Sequence, residues 1–589
     1  MILQALKEYY DRKAADPESD IAPEGFEKKE LQFIIIITEK GEFVNIEDTR
    51  EKVGTKLIAK SFLLPRSKGR SGSRSYETTF LLWDHIGYLL GQPMNDPKSS
   101  MQHQTWLNSL EELPQELKED IGVNAIIQFY KNNEVSRAIE SPQLQECLKA
   151  PQCNMSFRII SDIIPVPCRK KVREFIMTSS KCDESSDETN EHEQGTKVGI
   201  CLVTGETGII ARTHGRTPID KDTKCLVGFQ KNCGYDSYGK EQGYNAPVIK
   251  STEFAYVTAL NTLLKSKLQR ILVGDASTIF WSEKQSSFES DFSFFFKEPE
   301  KDNPDAGVER VKALFESVNS GAYINDDGDT RFYILGLAPN AARIAVRFWQ
   351  VGTISQFSTR IRQYFEDFAI VKPPKEPEYY SIWRILVNIA TQDKSENIPP
   401  NIAGDFMRAI LTGTPYPASL LQAVIRRIHS DVENRVKPVR AALIKAYLNR
   451  YYYQIYSDPN QREVSRTLDI TQPSVGYQLG RLFATLEKIQ EEANPGINAT
   501  IRERFYGAAC ATPVTVFTNL LRLKNHHLAK MDSKGRVIYF ERLLGEIMGR
   551  LSDFPAHLDL HEQGRFAIGY YHQRQAFFTK SEDVAIELN

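Results

Sequence analysis

The spacing of apolar residues changes at one proline-rich segment, VKPPKEPEYY, at residues 371–380. Before this segment, short alternating stretches typical of strands are mixed with helical patterns, and after it nearly every apolar pattern has helical spacing. Because proline stops helices and favours extended backbone, we predict a hinge here. The sequence therefore predicts an α+β chain. A mixed α/β region with antiparallel or mixed sheets spans 1–375, and an all-α helical bundle spans 376–589.

The same patterns predict individual elements. One helix begins with Ser251 or Thr252 as its cap and has Glu253 in its first turn, which suits the helix dipole. Strands are predicted at 31–38, 157–164, 172–178, 198 onwards, 270–274, 278–281 and 341–351. Helices after the hinge are predicted at 418–429, 436–456, 473–493, 501–510, 513–531 and 537–551.

The segment 178–197 differs from its surroundings in composition. It reads SSKCDESSDETNEHEQGT between its two end residues, with six carboxylates against Lys181 and almost nothing apolar. Such a segment cannot bury enough surface to offset the entropy lost on ordering. We predict a disordered acidic loop within the N-terminal region, the alternative being an acidic tag that binds a partner.

Composition excludes several classes of protein. The 589 residues carry a formal net charge of −2, which excludes a uniformly basic chain but not a local basic face. From residue 401 onwards, 24 Lys and Arg stand against 19 Asp and Glu.

No window has the ~18 consecutive apolar residues of a membrane span. The N-terminus lacks the pattern of a secretory signal, so a cytoplasmic protein is expected. The eight cysteines include no C-x-x-C pair, which favours reduced thiols over zinc, and no cofactor is predicted.

No catalytic motif stands out. There is no G-x-x-x-x-G-K-[ST] phosphate loop, which argues against an ATPase. The run NDDGD at 325–329 resembles a calcium loop, but Gly336 occupies the position that a bidentate glutamate should fill. A metal nuclease using Asp326, Asp327 and Asp329 stays open as an alternative, although a turn is favoured.

A second alternative is a DNA-binding regulator. The stretch VSRTLDITQPSVGYQLGRLFATL at 464–486 has the pattern of a helix-turn-helix. SRTL would be the first helix, DIT the turn and QPSVGYQLGRL the recognition helix, whose start would read the major groove. Similar corners are frequent in all-α domains, so the pattern is only moderately specific.

Three groups of residues indicate binding to nucleic acid. Each combines cations with small or aromatic residues, which suits contacts to phosphates and stacking on unpaired bases. A basic loop at 66–76 contains Arg66, Lys68, Arg70 and Arg74. A glycine- and aromatic-rich loop at 213–246 contains Lys231, Asn232, Tyr235, Tyr238 and Lys240. A helical stripe contains Arg426, Arg427, Arg435, Lys437, Arg440, Lys445 and Arg450, followed by Tyr451, Tyr452, Tyr453 and Tyr456. The alternatives are a mobile surface loop, a loop packed on its own domain and a solvated helix face.

Longer strings carry a resemblance to a known family. They are MILQALKEYYDR at the N-terminus, FLLWDHIGYLLG at 80–91, SYGKEQGYNAPVIKSTEFAYVTALNTLL at 237–264, VGDASTIFW at 273–281, RFWQVG at 347–352, AILTGTPYPASLLQAVIRRI at 409–428, LGRLFATLEKIQEEANPGINATIRERFYGAA at 479–509 and EQGRFAIGYYHQRQAFF at 562–578. They run in order along nearly the whole chain. In these strings the chain resembles the large subunit of the type I-C (Dvulg subtype) CRISPR interference complex, Cascade.

The resemblance implies a non-catalytic subunit in antiviral defence rather than an enzyme. Such subunits sit near the 5′ end of the crRNA, recognise the protospacer-adjacent motif (PAM) in double-stranded target DNA, promote R-loop formation and hold the displaced strand. They also dock a separate helicase–nuclease. The partners implied are crRNA, target DNA, the Cascade backbone subunits, the small subunit and the helicase–nuclease, with no membrane.

The resemblance also bears on the helical region. That region resembles the small subunit, which in this subtype can be made by internal translation of the same gene, and Met407 is one in-frame start. The apparent helix-turn-helix then falls inside a helical bundle. We expect the basic loop, Arg66, Lys68, Arg70 and Arg74, to engage the PAM-side duplex and the helical arginines to follow the displaced strand.

Overall fold

A computed structural model describes residues 1–54, 56–67, 70, 74–150, 152–185, 197–219, 223–231, 233–234, 238–273, 275–296, 312, 316, 320–321, 328–340, 343–431, 435–456 and 463–578. The chain divides into two compact units, Met1–Thr262 and Leu263–Asn589. The boundary predicted near 375 falls inside the second unit and stays a prediction.

The first unit contains small sheets. Its strands are β1 Phe26–Glu30, β2 Phe33–Ile37, β3 Phe43–Asp48, β4 Glu51–Val53, β5 Lys56–Ile58, β6 Ser61–Pro65, β7 Trp83–His85, β8 Asn154–Ile159, β9 Val198–Ile200, β10 Thr207–Ile209, β11 Arg216–Pro218 and β12 Thr223–Cys225. The four-stranded sheet has the order β3-β2-β8-β7. Its central strand β2, FIIII, is buried throughout and pairs parallel with β8 and antiparallel with β3. A continuous apolar run is what a strand covered on both faces requires.

The first unit also contains nine α-helices within the described residues. They are α1 Ile2–Ala14, α2 Ile86–Leu90, α3 Pro97–Glu111, α4 Gln115–Lys118, α5 Ile121–Lys131, α6 Val135–Glu140, α7 Leu144–Leu148, α8 Lys170–Ser185 and α9 Lys250–Lys265, which runs across the division between the units. In α5, Val123, Ile126 and Phe129 recur at helical spacing and join the core beneath the sheet. The Asp120 carboxylate caps α5 by accepting from the Gly122 and Val123 backbone N–H groups.

The second unit begins with an antiparallel sheet. Its strands are β13 Arg270–Val273, β14 Ala276–Ser282, β15 Arg331–Asn340 and β16 Arg343–Thr353, in that order across the sheet. The helices that follow are α10 Phe288–Phe296, α11 Ile354–Phe368, α12 Ile382–Ile389, α13 Pro400–Thr412, α14 Ala418–Ser430, α15 Pro438–Tyr456, α16 Val475–Ala493, α17 Ile501–Ala511, α18 Pro513–Ala529, α19 Lys534–Met548 and α20 Leu560–Ala576. Phe280 and Phe332 from the sheet share one hydrophobic core with helix residues as distant as Tyr571.

Helix α16 lies at the centre of the bundle and packs directly on α20. Two glycines allow this close approach, because a Cβ at Gly480 would lie 2.0 Å from the Phe566 carbonyl oxygen. A Cβ at Gly569 would likewise lie 2.0 Å from the Tyr477 carbonyl oxygen. Nearly all of α16 is therefore buried.

The predicted fold class is confirmed: small sheets with helices come first, and a helical bundle follows. All six helices predicted after the hinge are present within a few residues of their expected ends. The proline-rich segment at 371–380 is not helical. It is packed, however, because Tyr380 is buried and the Tyr571 hydroxyl donates to the Val371 carbonyl at 2.7 Å.

Three predicted elements are wrong, and the strand predicted at 157–164 is only partly present, because β8 ends at Ile159 and a loop follows. Residues 172–178 belong to helix α8 rather than to a strand, because Val172 and Ile176 are buried one helical turn apart between exposed neighbours. The same helix continues to Ser185, so the segment predicted as a disordered loop from 178 begins as helix. Residues 186–196 lie outside the described residues. The first helix of the helix-turn-helix does not form, since 463–474 contains no helix and the proposed recognition helix is the buried α16.

In the part of the chain that the structure describes, no helix is both long enough and apolar enough to cross a bilayer.

Candidate nucleic-acid interface

Arg70, predicted as an exposed DNA contact, is an internal anchor of the basic loop. Its guanidinium forms a two-pronged ion pair with the fully buried carboxylate of Asp84, with Nη1 2.9 Å from Oδ1. The guanidinium also lies 3.7 Å from the ring centroid of Phe80 and 4.3 Å from that of Tyr88. Burial raises the pKa of Tyr88 to about 12, although the Arg70 charge opposes this. Arg70 is therefore held by partners within its own unit, and its contacts leave little of it for DNA.

Arg66 connects the two predicted loops. Its Nη2 lies 3.1 Å from both carboxylate oxygens of Glu253, at the start of α9. The same carboxylate accepts a hydrogen bond of 2.6 Å from the backbone N–H of Gly215, in the glycine- and aromatic-rich loop. A third of the Arg66 side chain stays exposed. The structure thus brings together two segments that are about 150 residues apart in sequence, which the sequence pattern did not predict.

The remaining residues of these loops differ in exposure. Arg74 is 81% exposed, with Glu77 3.8 Å away, and Lys68 lies outside the described residues. Tyr238 is 98% exposed and has a left-handed backbone, with φ of 53°. Lys240 is exposed, and Lys231 lies 3.1 Å from Glu241. Asn232 and Tyr235 lie outside the described residues. Arg74, Tyr238 and Lys240 are accessible to a ligand without rearrangement.

Four of the seven cations predicted to hold a displaced strand are buried inside the bundle. Arg435 donates to the carbonyls of Ile428, His429 and Glu503. Arg440 has no exposed side-chain surface and pairs with Asp431 at 2.5 Å and Asp393 at 3.3 Å. A cation in this position cannot reach a DNA backbone unless the helices separate, so the assumption of one exposed stripe is wrong for Arg435, Arg440, Lys445 and Arg450.

Lys445 and Arg450 fasten α15 to α11. The Lys445 ammonium donates to the Asp367 carbonyl at 2.8 Å, and Arg450 Nε lies 2.5 Å from the Asp367 carboxylate. Burial raises the pKa of Asp367, and the Arg450 charge works against that rise. These cations have a structural role because their partners lie within the same bundle.

The other three predicted cations lie closer to the surface. Arg427 pairs with Asp431 at 2.7 Å, and Lys437 pairs with Asp393 at 2.6 Å. Arg426 is exposed and has no ion pair with any residue that the structure describes. Arg426 is therefore the member of the predicted stripe that is most accessible to a strand.

A different set of cations is exposed on α17, α18 and α19, and sequence reasoning missed it. Its members are Arg504, Arg522, Lys530, Lys534, Arg542 and Arg550. Within the described ranges none of them has a carboxylate within ion-pair distance. The nearby ion pair between Lys524 and Glu541, at 3.2 Å, links α18 to α19. We call these six cations the α17–α19 basic face.

The spacing in the sequence contains a signal for this face. Arg522 and His526 of α18 and Lys530, directly after its end, recur every four residues, and Lys534, Ile538 and Arg542 do the same along α19. Residues four apart lie on the same side of a helix. The cations at the ends of these two rows have no carboxylate partner among the described residues, whereas most cations of the stripe at 426–450 do.

No group of three or more His, Cys, Asp or Glu side chains is placed to hold a metal within the described residues. Asp326 and Asp327, two of the three carboxylates of the nuclease alternative, lie outside those residues. The third, Asp329, is exposed. The seven cysteines that the structure describes are free thiols.

Comparison with known proteins identifies the class. The chain is a CRISPR-associated protein: a family model described as CRISPR-associated protein (Cas_Csd1) matches residues 6–578. The match covers nearly the whole chain, so the protein belongs to the Cas_Csd1 family. No curated protein matches the chain. The resemblance noted from the sequence is thus confirmed for the family, and it supports a Cascade-type CRISPR protein.

Proposed function

We propose that this protein is the non-catalytic large subunit of a type I-C Cascade complex. In this role it recognises the PAM in duplex DNA, promotes R-loop formation and holds the displaced strand. The family match over 6–578 carries the proposal. Its partners are crRNA, double-stranded target DNA, the backbone subunits, a small subunit and a helicase–nuclease, and it acts in the cytoplasm without a cofactor.

On the PAM side, the first unit offers exposed groups close to one anchored loop. Asp84 holds Arg70 of the basic loop, and Arg66 and Arg74 of the same loop present positive charge. Phosphate contacts from such cations set the register on a duplex, and base-edge contacts add discrimination worth ~1–3 kcal/mol each. Among the described members of the basic loop, Arg66 and Arg74 are the accessible PAM-side cations, and Lys68 stays a prediction.

For the displaced strand, we propose the α17–α19 basic face together with Arg426. Exposed cations without carboxylate partners bind a phosphate backbone at a lower free-energy cost than paired cations do, because no internal ion pair has to break. Tyr539 is 44% exposed on α19 and offers a ring on which an unpaired base can stack. Guide pairing supplies the sequence specificity in such a complex, so this surface needs only to read backbone and base faces.

Co-purification tests the assembly. A tagged chain is expressed with the other subunits and a crRNA, and we expect a complex that retains the RNA after size-exclusion chromatography. Purification of the chain without RNA or other subunits would contradict the proposal. Incubation of the complex with Mn²⁺ and labelled DNA tests for catalysis, and cleavage that disappears in Asp329→Ala would favour the nuclease instead.

Salt-dependent DNA binding tests the basic face. The triple change Arg522→Gln, Lys530→Gln and Arg542→Gln is expected to lower the salt dependence of displaced-strand binding by about two counterions, since each contact contributes ~0.7 on a single strand. The matched control neutralises three exposed cations of the first unit: Lys98, Arg137 and Lys149. An equal loss in both variants would contradict the assignment of this face.

A further inference from the structure

A loop of the first unit presents several isoleucines to solvent. It follows β8, and Ile160 and Ile163 in it are 60% and 90% exposed. Ile164 and Ile121, the first residue of α5, are also exposed. Isoleucine is among the residues most often buried, and clusters of exposed apolar residues mark interaction sites. We call Ile121, Ile160, Ile163 and Ile164 the isoleucine knob.

One guanidinium fixes both parts of the knob. Arg169 forms an ion pair with Asp162, directly before Ile163. Its Nε also lies 2.9 and 3.1 Å from the two carboxylate oxygens of Asp120, directly before Ile121.

Backbone hydrogen bonds add to this clamp. The Ile160 N–H donates to the Ile37 carbonyl and the Asp162 N–H donates to the Ile159 carbonyl, both at 2.9 Å. The knob is therefore ordered before any partner arrives, which lowers the entropy cost of binding.

The surface that adjoins the knob is acidic. A cavity of about 600 Å³ between α4 and α8 is lined by the carboxylates of Glu116, Glu119 and Glu174 and by the ammonium of Lys171. Glu119 directly precedes Asp120, and Lys171 is two residues after Arg169, so the cavity lies next to the clamp in the chain. Lys170, 3.7 Å from Glu174, reduces the negative balance without reversing it. Such a cavity repels phosphate and attracts lysine or arginine.

We propose that the isoleucine knob and the acidic cavity beside it dock another protein. The complementary surface would have an apolar socket for Ile163 and Ile164, flanked by lysine or arginine that reaches Glu116 and Glu119. The identity of the partner rests on the proposed function. In a Cascade complex this partner is another subunit, because proteins that bind a guide RNA carry basic surfaces.

Photo-cross-linking from the knob tests this docking. The full chain, carrying p-benzoylphenylalanine in place of Ile163, is produced in cells together with the other subunits and crRNA, and is then irradiated. We expect one adduct with a second, basic protein. The same photo-reactive residue in place of Met94, which is also highly exposed in the first unit, is the control and should give no such adduct.

Charge reversal checks the cavity. Glu116→Lys with Glu119→Lys should lower the adduct yield about tenfold, whereas Glu206→Lys, an exposed carboxylate elsewhere in the first unit, should leave it unchanged. Thermal melting confirms that each variant is folded.

The outcomes separate the two proposals. An adduct with nucleic acid, an adduct with a second copy of this chain, the absence of any adduct, or a yield unaffected by charge reversal would overturn the docking site. An adduct with a basic protein that carries no guide RNA would support the docking site and contradict the proposed function.

Discussion

The contact between α16 and α20 yields a prediction whose size follows from the structure. In Gly480→Ala, the new Cβ would lie 2.0 Å from the Phe566 carbonyl oxygen and 2.7 Å from the Tyr570 amide nitrogen. Real Cβ contacts almost never fall below 3.0 Å, so the two helices must separate by roughly 1 Å. Overpacking of this kind costs about 1–3 kcal/mol.

Separation of the helices also strains the hydrogen bonds between them. The Tyr570 hydroxyl donates to Glu487 at 2.7 Å, and Arg481 Nε donates to the Gln573 side chain at 3.0 Å. Each such bond contributes about 1 kcal/mol or more. Alanine recovers about 1 kcal/mol through its higher helix propensity. We expect Gly480→Ala to destabilise the bundle by a net ~2–4 kcal/mol.

The assay is hydrogen–deuterium exchange, followed by mass spectrometry in peptides from α16 and α20. The matched control is Gly545→Ala on α19, where a Cβ meets nothing within 4 Å. That variant should become more stable by up to ~1 kcal/mol, because only helix propensity changes. If both variants slowed exchange to the same extent, the argument from close helix approach would be refuted.

Two further predictions concern buried groups, and a third concerns a fragment of the chain. Burial, with a smaller effect of the Lys445 charge, lowers the pKa of His572 from 6.5 to about 3. Below pH 6.5 the unfolded chain therefore takes up a proton that the folded chain does not. Stability in urea should fall by ~1.4 kcal/mol per pH unit below that pH, and His572→Gln should remove this slope. Asp84→Ala removes the carboxylate from Arg70, whose side chain is only 16% exposed, and should lower the free energy of unfolding in urea by ~3 kcal/mol, unlike Glu77→Ala. A fragment that begins at Met407 should unfold at lower urea than a fragment that begins just before Ile354, because only the longer one keeps Asp367 and Asp393.

Much of the fold follows from local patterns in the sequence. The apolar spacing after residue 400 predicts α14, α15 and α16. Helix α14 buries one face that repeats along the helix, whereas α15 and α16 are buried on all sides over most of their length. The failure at 172–178 has a local cause. Phe175 and Ile176 suggest a strand, but the exposed residues around Val172 and Ile176 show that only one side is buried.

The candidate site was harder to predict because burial depends on distant partners. Nothing beside Arg440 in the sequence shows that Asp393 will lie 3.3 Å away, or that the Asn388 carbonyl will accept from its Nε. A basic stripe has the same amino-acid sequence whether it faces solvent or a neighbouring helix. The α17–α19 basic face is the converse case, because its cations are exposed only as a result of how α18 and α19 pack on α16.

The buried cations also bear on how a small-subunit-like product could be made. Lys445 and Arg450 on α15 bind Asp367 at the end of α11, and Lys437 and Arg440 bind Asp393. Both aspartates precede Met407, which is itself buried within α13. Translation from Met407 would therefore remove Asp367 from Lys445 and Arg450 and Asp393 from Lys437, although Arg440 would keep Asp431. Loss of one partner of a buried pair such as Arg450 and Asp367 costs ~3–5 kcal/mol. A start before Ile354 keeps α11, α12 and both aspartates. These contacts favour an internal start upstream of α11 over Met407 for any separately made helical product.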